Sequence, residues 1–97
     1  MAKAKLKTTR FDAAEYLKSE KECAAFLEAA FEGGDTAHIA RALGIVARAR
    51  GMMKLAKETG LTREALYRML SEEGNPTLDT LLKVSKAFGL QLTVRAA

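Results

Sequence analysis

The chain has 97 residues, of which 48% are apolar and 29% charged, a balance that fits one folded domain and argues against disorder. A single cysteine, Cys23, and a single histidine, His38, exclude an intrachain disulfide, a Cys-rich zinc site and a histidine-based metal cluster, and no apolar run approaches the ~20 residues that cross a bilayer. The net charge of +4 is segregated: residues 1–10 carry four cations and no acid, residues 11–35 balance at −5, residues 36–71 at +5 and residues 72–97 at zero, which suits two kinds of partner on two faces or, more blandly, solvated helices.

Residues 1–10 read as a flexible basic tail ahead of one helical domain over residues 11–97. The tail runs into Phe11-Asp12-Ala13-Ala14-Glu15 instead of an apolar stretch, so no signal peptide is expected and the cytoplasm is the expected compartment, with no membrane partner. A short helical turn is expected after Asp12, through Ala14, Tyr16 and Leu17. Ser19 and Glu22 then form a capping box for a helix whose apolar stripe is Cys23, Phe26, Leu27, Ala30 and Phe31 and which ends at Gly33-Gly34. Cys23 lies inside that stripe and reads as a buried thiol. Asp35 caps the next helix and Gly51 ends it, with Ile39, Leu43 and Val46 inward and Arg41 and Arg48 outward. Gly44 interrupts this helix at a cost of about 1 kcal/mol, which points to a close helix contact there. His38, in its first turn, reads as an ordinary surface or packing residue.

The informative stretch is residues 52–71. Leu55 and Ala56 lie on a short helix that stops at Thr59-Gly60, Gly60 permits a tight turn, Leu61 plugs the core and Thr62 caps a second helix. That helix buries Ala65, Leu66, Met69 and Leu70 and presents Arg63, Glu64, Tyr67, Arg68 and Ser71 on its other side. Helix, turn and helix at this spacing predict a helix-turn-helix that enters the major groove of double-stranded DNA. Arg63 and Arg68 can fork onto guanine, Tyr67 can lie against a thymine methyl, and Glu64 can accept from cytosine. Lys54, Lys57, Thr62, Ser71 and Asn75 are the phosphate candidates. The competing readings are a plain helical hairpin with solvated arginines and a helical module that grips an acidic protein. No paired base and nucleophile, metal cluster or phosphate-cradling loop is present, so neither an enzyme nor a cofactor is expected.

Thr77 caps a further helix, with Leu78, Leu81, Leu82, Ser85 and Phe88 along one side and Gly89 at its end. Leu90, Leu92 and Val94 then alternate with Gln91, Thr93 and Arg95, a period of two that predicts a strand over 90–95. A lone strand in a helical chain needs a second copy, so these three side chains predict a homodimer paired across a two-fold axis.

Over residues 11–95 the chain resembles the antidote (antitoxin) proteins of bacterial type II addiction modules, in the HigA-like branch of the phage-repressor-like helix-turn-helix group. The resemblance is carried by residues 9–17 (TRFDAAEYL), 43–52 (LGIVARARGM), 59–67 (TGLTREALY) and 74–77 (GNPT). It implies an all-α, five-helix phage-repressor-like domain that neutralises a cognate toxin, commonly a basic mRNA interferase of the RelE/HigB-like kind, and represses its own operon. By this likeness the base-reading positions are Arg63, Glu64, Tyr67 and Arg68, with Thr62 at the backbone. A homodimer would meet successive major grooves ~34 Å apart, so the operator is expected to hold an inverted repeat. Met52 stands where many phage-repressor relatives carry a DNA-bracing Gln. The −5 block, through Glu15, Glu20, Glu22, Glu28 and Glu32, suits a basic toxin. The alternative is a stand-alone phage-type repressor that uses the same DNA residues and has no toxin.

Overall fold

Four of the helix starts are fixed by a side chain that accepts a backbone N–H, and these caps set the layout of the chain. In the computed structural model, which describes residues 17–97, five helices follow in order: α1 (Glu20–Gly33), α2 (Thr36–Arg50), α3 (Met52–Thr59), α4 (Arg63–Met69) and α5 (Leu78–Ala87). The basic tail, the turn expected after Asp12 and the toxin candidate Glu15 lie outside the described residues. Ser19 accepts from Glu22 N–H at 3.1 Å while the Glu22 carboxylate accepts from Ser19 N–H at 3.1 Å, the capping box expected for α1. Asp35, Thr62 and Thr77 cap α2, α4 and α5 in the same manner. Gly51 both ends α2 and begins α3.

The core is centred on α2, which packs against α1, α3 and α4, while α5 packs against α3. Ala40, Ala42, Leu43, Gly44, Val46 and Ala47 of α2 are all buried, so most of its circumference touches protein. Leu43, Val46, Leu66, Val84, Phe88 and Cys23 are the largest fully buried side chains. Leu17, just before α1, also joins this core. The Cys23 thiol donates to the Leu17 carbonyl at 3.9 Å, and its sulfur accepts from the Arg50 guanidinium at 3.8 Å, which ties α1 to the end of α2.

Two expectations are corrected at the C-terminal end. First, the side of α5 through Leu78, Leu81, Leu82, Ser85 and Phe88 is only partly inward: Ser85 and Phe88 are buried and Leu81 packs on the core, but Leu78 and Leu82 are 69% and 50% exposed, and Thr80 and Val84 are buried in their place. The helix carries two overlapping stripes, and the one containing a threonine goes inward because its hydroxyl is satisfied there. Thr77 Oγ1 donates to Thr80 Oγ1 at 3.1 Å, and Thr80 Oγ1 donates to Met69 Sδ at 3.6 Å. Second, no strand is seen over 90–95: among the described residues no neighbouring ladder faces Leu90, Leu92 and Val94, whose expected partner was a second copy. Leu90 instead completes a helix stop: Gly89 N–H donates to Lys86 O at 3.0 Å and Leu90 N–H to Ser85 O at 2.9 Å. Its side chain packs on the core, whereas Leu92 and Val94 remain exposed.

Gly44 is where α2 meets the end of α4: a Cβ at this position would overlap the Leu70 carbonyl oxygen. Helix propensity alone makes Gly→Ala worth about 1 kcal/mol of stabilisation. Overpacking against backbone, which cannot rotate away, lies at the upper end of its usual range, about 2–3 kcal/mol, and reverses that sign. Gly44→Ala is therefore expected to lower stability by about 1–2 kcal/mol, read from the midpoint of urea unfolding. An unchanged or raised midpoint would contradict the contact.

Candidate nucleic-acid interface

The connection between α3 and α4 is three residues long, Gly60 to Thr62, and each has a separate task. Gly60 adopts a left-handed conformation with φ 78°, which side chains with a Cβ disfavour. The preceding Thr59 hydroxyl donates to the Leu55 carbonyl at 2.8 Å and accepts from Leu61 N–H at 3.3 Å, so it stitches the turn to α3. Leu61 is half-buried against the core, and Thr62 Oγ1 accepts from Ala65 N–H at 3.0 Å to start α4. Leu66 and Leu70, both buried, then seat α4 on the body of the protein.

With those side chains inward, Arg63, Glu64, Tyr67 and Arg68 are all exposed and share the outward face of α4, as their spacing predicts. Tyr67 is 51% exposed, too much for a core tyrosine. Among the described residues the ion pairs are Arg41–Glu72, Lys83–Asp79 and Arg95–Glu28, and none engages Arg63, Arg68, Lys54 or Lys57. The cations of this face therefore remain available to an anionic partner.

The other candidates are placed less uniformly. Lys57 is exposed on α3, and so is Lys54, which lines a small cleft with Arg50, Glu58 and Phe88 toward α5. The Thr62 oxygen is used as an acceptor, which leaves its proton free to be donated. α4 ends at Met69, so Ser71 lies past it, half-buried, with its hydroxyl donating to the Arg68 carbonyl at 3.0 Å. Asn75 is exposed in the following loop. Met52 is buried and belongs to the core, so it offers nothing outward; Met53 beside it is 70% exposed and was not singled out by the sequence.

The acidic residues of α1 have different partners. Glu22 is committed to capping, since its carboxylate also accepts from Lys18 N–H at 3.0 Å, and Glu20 lies against Gly89 at the end of α5. Glu28 and Glu32, one turn apart further along α1, border a groove together with Ala24, Leu27 and Phe31. Arg95 reaches across it to Glu28, with Nη2 to Oε2 at 3.4 Å. Separated by 67 positions, that pair has no local signature in the sequence.

Among the described residues no cluster of three or more His, Cys, Asp or Glu side chains could hold a metal ion, and no helix is long and apolar enough to cross a membrane. Comparison with known proteins gives a direct assignment. An uncharacterized protein of Haemophilus influenzae strain Rd is 45% identical over 85 residues, covering 88% of each chain. No solved structure matches. Residues 7–96 match the family described as "Probable addiction module antidote protein", and the chain belongs to that family.

Proposed function

We propose that this chain is a sequence-specific DNA-binding antitoxin: a homodimer of the HigA-like, phage-repressor-like helix-turn-helix type that sequesters a cognate toxin and represses its own operon. Family membership supplies the toxin partner. The observation that carries the DNA reading is the outward face of α4, where two arginines free of internal ion pairs flank an exposed tyrosine and a glutamate.

A helix with its side chains is about 10–12 Å across, which a major groove about 12 Å wide admits. Arg63 and Arg68 present fixed forks of donors that match O6 and N7 of guanine, Tyr67 offers an apolar edge to a thymine methyl, and Glu64 accepts from the cytosine amino group. Thr62 O–H, Lys54, Lys57 and Asn75 contact phosphates and fix the register without reading sequence, and Ser71 joins them only if its proton leaves the Arg68 carbonyl. Two copies related by a two-fold axis read an inverted repeat with half-sites about 34 Å apart. The cognate toxin is of the RelE/HigB-like mRNA-interferase kind, and the antidote acts on it by binding, with no chemistry of its own.

The test is fluorescence anisotropy with the DNA that precedes the gene, run against single-base variants over a salt series. Arg63→Ala and Arg68→Ala are each expected to cost about 1–3 kcal/mol and to relax preference at one operator position. Lys54→Ala is expected to weaken all sequences alike and to reduce the salt slope by about one unit. Arginine variants that weaken every sequence equally would reduce those residues to phosphate contacts, and wild-type protein with no preference for its upstream DNA would end the reading.

A further inference from the structure

The groove beside α1 is open and about 950 Å³ in volume. Leu27, Leu43 and Phe31 give it an apolar lining, and Phe31 is 36% exposed there. Glu28 and Glu32 stand at its edge, and the segment after α5 forms the opposite wall. No residue of α3 or α4 lines it. An acidic rim over an apolar floor repels phosphate and attracts a cation carried among apolar side chains.

The chain itself shows what that rim accepts. Beyond Leu90 no backbone hydrogen bond forms among the described residues, and the one side-chain hydrogen bond of the segment among them is Arg95 to Glu28. Both partners are largely solvated, with side chains 79% and 62% exposed, so the pair holds the segment weakly. Arg95 thus occupies a cation position by a contact that is easily exchanged.

We infer that this groove is the docking site of the cognate toxin, which enters with a segment carrying arginine or lysine among apolar residues and displaces Arg95 from Glu28. The inference rests on the antidote reading. It adds a surface, a chemistry of recognition and an intramolecular competitor. Because the groove shares no residue with α4, toxin contacts within it do not use the DNA-facing residues.

The probe is the purified product of the small open reading frame beside this gene, titrated calorimetrically with the full chain. Failure of wild-type protein to bind it would overturn the antidote reading itself. Where wild type binds, Glu28→Gln combined with Glu32→Gln is expected to raise Kd about tenfold or more, with helicity and unfolding midpoint unchanged. Arg95→Ala is expected to tighten binding by roughly two- to fivefold, because it removes the competitor. A double glutamine variant that binds within twofold of wild type would overturn the groove assignment. So would one that instead alters the oligomeric state of the free chain, since the groove would then serve a second copy. Weaker binding by Arg95→Ala would overturn the competitor role and make the segment part of the toxin contact.

Discussion

The position of α4 depends on a contact between backbones, Gly44 of α2 against the carbonyl of Leu70. A helix lined by alanine and glycine can approach its neighbours more closely than one lined by leucine, and close packing strengthens every dispersion contact around it. Ala40, Ala42 and Ala47 give α2 that property, so it can pack against three other helices at once. α4 is thereby held from below by main chain and by the buried Leu66 and Leu70. Arg63, Tyr67 and Arg68 project from a base of defined position, which base-edge recognition requires.

The same packing separates the surfaces. α1 leans on α2 and leaves its Glu28 and Glu32 side away from α3 and α4. The basic segment, residues 36–71, carries the outward face of α4, whereas the acidic segment, residues 11–35, contributes the groove. In the proposed function each charge block meets the partner of opposite sign, and one partner need not exclude the other. Coupling between them would then be a free energy transmitted through α2, not a competition for one site.

Much of this organisation was legible in the sequence because it is local. N-caps act within three residues, so Ser19, Asp35, Thr62 and Thr77 marked their helices, and the stripe through Cys23 and Leu27 identified the inner face of α1. Gly44 was legible as a close contact, though not its partner. What failed was non-local or degenerate. On α5 the leucines favoured one stripe, but Thr80 could go inward because Met69 and Thr77 satisfy its hydroxyl. The alternation of Leu90, Leu92 and Val94 reads as a strand, while Leu90 serves the helix stop and no strand partner lies among the described residues. Nor could the sequence show that Glu28 pairs with Arg95 from the far end of the chain, 67 positions away.

The central claim is that two faces of one small domain serve two partners together. It is tested most directly by sedimentation velocity of the full chain mixed with a labelled upstream DNA fragment and the protein from the adjacent open reading frame. The account predicts one faster species in which the label, this chain and the second protein travel together. Release of the DNA as the second protein is added, with only binary complexes seen, would contradict it.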